Sequence, residues 1–195
     1  MDKSSEKALV EKAKKDSQSF GILYDYYYNR IFNYILRRCV NVHIAQDITS
    51  NTFLNALKGL KSFKWKDDLG FSPWLYRIAT NCINEYFRKN KKYVSVAPDD
   101  FDVFLKQDVP ASEYEEVERE LDDKKEFRHI QAQISKLDDK YQEIIHLKFF
   151  ELKSYEEISY ILGVKEGTLR SHLSRALAEL KRVLSATNIS LEHYK

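Results

Sequence analysis

Apolar side chains recur along most of this chain at intervals of three and four residues, the spacing that lines one face of an α-helix. Phe20, Leu23, Tyr24, Tyr27, Ile31 and Ile35 form one such row, and Ile44, Ile48, Thr52, Ala56, Leu57 and Leu60 form a second. A third helix is predicted from Ser72-Pro73, a hydroxyl cap followed by proline where a missing N–H is harmless. It continues through Leu75, Ile78, Ala79, Cys82 and Tyr86 to about Lys89. The period lapses between residues 95 and 112, where Pro98 and Pro110 stand among Asp99, Asp100, Asp102 and Asp108. Beyond that stretch Ser112 and Glu115 have capping-box spacing and open a predicted helix through Val117, Leu121, Phe127, Ile130 and Ile134. A further helix from about Asp138 carries Ile144, Ile145, Leu147 and Phe149. The predicted fold class is all-α: a helical domain over 1–94, an acidic flexible linker over 95–112, and a second helical domain over 113–195.

The most specific pattern is SYEEISYILGVKEGTLRSHLSRALAEL, residues 154–180. Ser154 and Glu157 make another capping box, so a helix starts there. Ile158, Ile161 and Leu162 supply its buried face, and Gly163 stands where the helix must end in a left-handed conformation. Val164 closes the corner. A second helix from about Glu166 carries Leu169, Leu173, Ala176, Leu177 and Leu180 on one stripe, with polar and basic residues opposite. Two short helices about a glycine turn form a helix-turn-helix, whose second helix reads the major groove with its N-terminal half. Lys165, Thr168, Arg170, Ser171, Ser174 and Arg175 are the candidate contacts. Arginine suits guanine edges and phosphates.

Charge sharpens that reading. The chain of 195 residues has a net charge of only +2, yet residues 1–95 carry a balance of +8, residues 96–126 of −8 and the remainder of +2. A basic first half fits a polyanionic partner. Residues 62–71, SFKWKDDLGF, interleave Phe63, Trp65 and Phe71 with lysines. Such a loop either closes the helical core or stacks unpaired bases while cations hold the backbone. Trp74, Arg77, Asn81, Asn84, Arg88, Lys89, Lys91 and Lys92 extend the polar surface along the third helix.

Other chemistries find little support. Cys39 and Cys82 sit in apolar helical patterns and read as reduced, buried thiols. Cys39 and His43 share a helix face without the further ligands a metal needs, and His129, His146 and His193 are scattered. No Ser/His/Asp constellation or phosphate-cradling loop is visible, so neither a cofactor nor catalysis is expected. The charged N-terminus MDKSSEKALVEKAKKD lacks a leader core and no run reaches membrane-spanning length, which predicts a cytoplasmic protein without direct membrane insertion.

Three motifs, AQDITSNTFLNAL at 45–57, SPWLYRIATNCINEYFR at 72–88 and the 154–180 module, occur in the order and at the separations of the extracytoplasmic-function sigma factors. The chain resembles that family over roughly residues 18–185. The resemblance implies a non-catalytic initiation subunit that binds core RNA polymerase, at the beta-prime clamp helices and the beta flap, and directs it to promoter DNA. It places polymerase docking on Asp47, Asn51 and Phe53. Recognition of the minus-ten element, as melted single strand, falls to Lys64, Trp65, Lys66 and Asp67, with Asn81, Asn84 and Arg88 behind. The duplex minus-thirty-five element falls to the helix-turn-helix residues named above. An anti-sigma factor is implied as a restraining partner.

Several positions depart from the family pattern. Ser50-Asn51 stand where Gln-Glu is usual, Asn84-Glu85 replace a commoner arrangement with aspartate, Lys165 replaces a small hydroxyl cap, and His172 replaces a frequent arginine. The acidic linker either imitates RNA in the polymerase exit path or serves as a soluble tether. Two rival readings remain at this level. A stand-alone helix-turn-helix regulator would bind duplex operators without polymerase, and a helical protein adaptor would show no salt-dependent DNA affinity.

Overall fold

A computed structural model of the chain describes residues 1–90 and 129–185. The expected linker over 95–112, the Ser112–Glu115 capping box, the helix through Val117, Leu121 and Phe127, and Lys91, Lys92 and His193 lie outside these residues.

The first group of helices comprises α1 (Lys3–Ala13), α2 (Ser17–Cys39), α3 (Val42–Gly59) and α4 (Ser72–Lys89), with a 3-10 turn at Leu60–Ser62. The second comprises a helical stretch at 129–134, α5 (Asp139–Ile145), a π-helical turn at His146–Phe150, α6 (Tyr155–Leu162) and α7 (Glu166–Ser185). Among the described residues every regular element is helical, as the periodicity required.

Helix α1 is an addition to the sequence reading. Its signal is present in retrospect. The Asp2 carboxylate accepts from the Ser4 and Ser5 backbone N–H groups, both at 3.0 Å, and Val10 and Ala13 are buried against the rest of the lobe. Asp16 caps α2 in the same way, through Gln18 and Ser19. Two short amphipathic turns flanked by lysines give too few apolar repeats to stand out.

The start of α4 also differs. Phe71, not Ser72, occupies the cap, and no side chain satisfies the first N–H groups. The Ser72 hydroxyl instead accepts from Lys153 Nζ at 2.7 Å, across to the second helical group. Four apolar residues read as core are substantially exposed: Tyr24, Leu57, Leu177 and Phe149. Leu57 follows buried Ala56 and Leu177 follows buried Ala176. Neighbours on a helix diverge by about 100°, so only one of each pair sits at the centre of the stripe. At Phe149 the π-helical turn adds a residue to the local repeat and turns the ring outward.

The two groups share one continuous core. Leu23, Ile31, Ile35, Leu60, Leu75 and Ile83 of the first group join Ile144, Leu147, Ile158, Ile161 and Leu169 of the second. Helix α4 is the bridge, packing on α2 and α3 on one side and on α6 on the other. A smaller cluster of Ile134, Leu137, Tyr141, Ile145 and Ala176 ties α5 to α7.

Candidate nucleic-acid interface

The helix-turn-helix forms as its residues dictate. Ser154 Oγ accepts from the Glu157 N–H at 3.1 Å, and Glu157 Oε2 accepts from the Ser154 N–H at 2.8 Å. Gly163 ends α6 at φ 68° and donates to the Ser159 carbonyl. Val164 packs against the core, and Ser159 Oγ donates to its carbonyl at 2.6 Å, locking the turn. Leu169, Leu173 and Ala176 then anchor α7 from beneath. Lys165, Thr168, Arg170, Ser171, Ser174 and Arg175 all stand exposed at its N-terminal half. Arg170 lies over the Tyr155 ring at 4.3 Å and 3.5 Å from Glu166, so its guanidinium is held without being covered. His172 is half-buried beside the Tyr141 ring.

The loop after α3 resolves into two parts. Phe63 and Phe71 are buried and meet each other and Trp74 in a ring cluster, so two of the three loop aromatics serve the core. Trp65 is different. It is half-buried, edge-on to Phe63 at 6.4 Å, with exposed Lys64, Lys66 and Asp67 around it. Gly70 sits against its ring at φ 75°, where a Cβ would lie 3.1 Å from Glu6 Oε2 and 3.7 Å from the indole. The turn needs glycine for both reasons.

The residues expected to stand behind this loop are dispersed. Asn81, Asn84 and Arg88 are exposed on α4, but Asn84 and Arg88 lie roughly 18–24 Å along the helix from its start. They line a separate cavity of about 570 Å³ between the two helical groups, with Arg38, Cys39, Asp139, Lys140 and Glu143. Burial pushes the Cys39 thiol up to about 12, which keeps it protonated. Among the described residues no group of three or more His, Cys, Asp or Glu could hold a metal ion.

The third set divides as well. Asp47 and Asn51 are exposed on α3 and, with Ser50, Asn55, Cys82 and Tyr86, border a groove of about 510 Å³ between α3 and α4. Phe53 does not join them. It is 5% exposed, tilted against Tyr24 at 4.6 Å and stacked with Tyr28 at 6.4 Å, because one residue in a helix cannot face both the core and the Asp47–Asn51 edge.

Sequence reasoning missed the seam between the helical groups. Glu151 is buried there, accepting from Arg37 at 2.8 Å and from the Tyr76 hydroxyl. Burial raises its pKa, while Tyr76 and Arg37 oppose the rise. Arg38 donates to Gln142 at 2.9 Å, and Arg77 donates to the Tyr160 carbonyl at 3.2 Å. His146, read as uninformative, is buried beside these arginines with its Nε2 on Gln131. Partners this far apart in the chain, up to 114 residues for Arg37 and Glu151, leave no periodic trace.

Comparison with known proteins follows this division. The model of sigma-70 region 2 matches residues 23–93, and that of sigma-70 region 4 matches residues 127–180. RNA polymerase sigma factor YlaC of Bacillus subtilis is 31% identical over 86% of this chain and 93% of its own length. The ECF RNA polymerase sigma factor SigW of the same organism is 30% identical over 94% of this chain and 98% of its own. The chain is an ECF sigma factor of the sigma-70 family. Two solved structures share the fold: CnrH in complex with the cytosolic domain of CnrY, with a TM-score of 0.66 at 20% identity over 92% of this chain and 96% of that one. The other is the sigma factor RpoE of Bartonella quintana in complex with the anti-sigma factor NepR, at 0.65 and 19% over 86% and 98%. As a sigma factor the protein is a non-catalytic regulator that directs RNA polymerase to promoters. No described helix of this sigma factor is long and apolar enough to cross a membrane.

Proposed function

We propose that the two helical groups of this sigma factor divide promoter recognition between paired and unpaired DNA. Trp65 carries the reading, as the one loop ring left half-exposed among lysines. A ring in that setting can accept an extruded base, and a protein that binds the opened strand better than the duplex favours opening. Lys64 and Lys66 supply phosphate attraction, and Asp67 orders the loop. Asn81 is near enough along α4 to extend the contact. Asn84 and Arg88 would meet the strand farther on, toward the cavity they line.

The exposed face of α7 takes the duplex minus-thirty-five element. Lys165 adds a cation near the backbone, and Thr168, Arg170, Ser171, Ser174 and Arg175 face the groove. Core polymerase docks on the α3 edge at Asp47 and Asn51, through the beta-prime clamp helices, with the beta flap meeting the second group. Phe53 supports that edge from the core. Two modest DNA contacts become one strong contact when polymerase fixes their spacing. RpoE was solved with the anti-sigma factor NepR and CnrH with the cytosolic domain of CnrY, which supports an anti-sigma factor as the restraining partner here.

The experiment is transcription and permanganate footprinting with purified core polymerase. Trp65→Ala is expected to slow strand opening about tenfold or more, as loss of one stacked base allows, with duplex binding unchanged. Arg170→Ala and Arg175→Ala are expected to weaken upstream-element binding, by about 1–3 kcal/mol for a base-reading arginine. Unchanged opening with Trp65→Ala overturns the loop assignment. Tight operator binding without polymerase overturns the sigma division of labour.

A further inference from the structure

Helix α1 lies outside the region 2 match, which begins at residue 23. It nevertheless contacts the Trp65 loop through two lysines. Lys7 Nζ meets Asp67 Oδ1 at 2.9 Å and lies 6.0 Å from the centre of the Trp65 ring. Lys3 Nζ donates to the carbonyls of Asp67 and Asp68, at 3.4 and 3.2 Å. One turn of helix separates these lysines, and Glu6 between them is buried. Its carboxylate accepts from the Tyr27 hydroxyl and borders the Gly70 turn.

The pieces form a chain of restraint. Val10 and Ala13 fix α1 to the core, and Glu6 fixes it to α2 through Tyr27. Lys3 and Lys7 then reach the outer half of the loop, whose own backbone bonds run from the Leu69 and Gly70 N–H groups to the Lys66 carbonyl. The hydrogen bond and charge of Lys7 are the chief reason that the Asp67 carboxyl sits below its ordinary range. Lys7 therefore sits against both the Asp67 carboxylate and the Trp65 ring, two residues apart in the loop. Exposed pairs of this kind add little to global stability. What they change is the population of loop geometries, which matters where a base must fit beside a ring.

We propose that α1 is a positioning element for strand recognition: Lys7, through Asp67, and Lys3, through the neighbouring carbonyls, hold Trp65 and the Gly70 turn in the form that accepts an unpaired base. The proposal rests on the assignment of Trp65 to the minus-ten strand. Lys3 and Lys7 act through the loop and need no contact with DNA.

The test uses the full chain with core polymerase and the variants Lys3→Met, Lys7→Met, the pair together, and Lys7→Arg. Both lysines are exposed, so the fold is expected to survive, checked by an unchanged unfolding midpoint. Open-complex formation is followed by permanganate reactivity on promoters carrying each base in turn through the minus-ten element. The double variant is expected to open about fivefold more slowly, the rate equivalent of one exposed ion pair, with discrimination among bases reduced and Lys7→Arg close to wild type. In the free protein, the Trp65 indole N–H resonance is expected to shift in Lys7→Met while that of Trp74, the other tryptophan, stays in place. Unchanged base discrimination together with an unmoved Trp65 resonance overturns the proposal. So does a loss of affinity uniform across bases with the salt slope reduced by about one, which marks Lys7 as a phosphate contact. Should Trp65→Ala leave opening intact while Lys7→Met still moves the Trp65 resonance, the strand assignment of the loop fails and the α1 restraint remains.

Discussion

At the residue scale the informative groups are the buried ionisable ones at the seam. His146 is held neutral, well below the usual histidine range, by burial first and then by the charges of Arg38 and Arg37. A histidine whose folded pKa is depressed contributes stability above its unfolded value and loses it as pH falls below about 6.5. Glu151 runs the other way. Its raised pKa means that the packed state favours the proton, so its contribution grows on acidification and fades as pH rises through the folded pKa. Denaturant unfolding between pH 8 and pH 5 separates the two. Wild type is expected to gain stability relative to Glu151→Gln as pH falls. Relative to His146→Gln it is expected to lose stability below pH 6.5, with a slope approaching about 1.4 kcal/mol per pH unit. A difference between wild type and His146→Gln that stays flat across this range contradicts the buried neutral imidazole. The same groups mark a limit of sequence reading, since His146 and Glu151 carry no motif, and only the arginines brought from α2 give them their chemistry.

At the element scale, the helices follow from their own residues where local signals suffice. The capping box of α6 was readable because Ser154, Glu157 and Gly163 each act within a few residues of themselves. Ser154→Ala is expected to cost about 1 kcal/mol, the usual value of a lost N-cap, seen as a lower unfolding midpoint and weaker minus-thirty-five binding. An equal midpoint argues that the cap is redundant with the Lys153–Glu157 and Lys153–Ser72 contacts. Elements went wrong where a distant partner intervened. Ser72 gave up its expected capping role and took a bond from Lys153, while Phe149 left its stripe at a π-helical turn. Helix α1 went unread because its identity depends on a core supplied by α2.

At the scale of the whole molecule, the shared core joins the region 2 and region 4 groups. Ile158 of α6 is fully buried in the same cluster as Leu75 and Ala79 of α4. Ile158→Ala is expected to cost about 2–5 kcal/mol, as large-to-small core changes do. It is also expected to lower amide hydrogen-exchange protection in α4 as well as in α6. Loss confined to α6 would mean that the two groups open independently. Lys66, a candidate strand contact, lies 5.1 Å from the Tyr160 ring, and Arg77 lies over the same ring at 5.4 Å. Part of the surface proposed for the single strand therefore borders the lobe proposed to read duplex DNA.

What the amino-acid order determined alone was the helical class, the placement of most helices and the reading module at 154–180, because periodicity, caps and glycine turns act over one or two helical turns. The exposed polar face of α7 followed from the same rule, since fixing the buried stripe fixes its opposite. Tertiary structure decided which loop aromatic stays available, where Asn84 and Arg88 face, that Phe53 turns inward, and that α1 braces the loop. Each of these depends on which distant surfaces pack together, and a residue's neighbours in space are set by burial across the whole core.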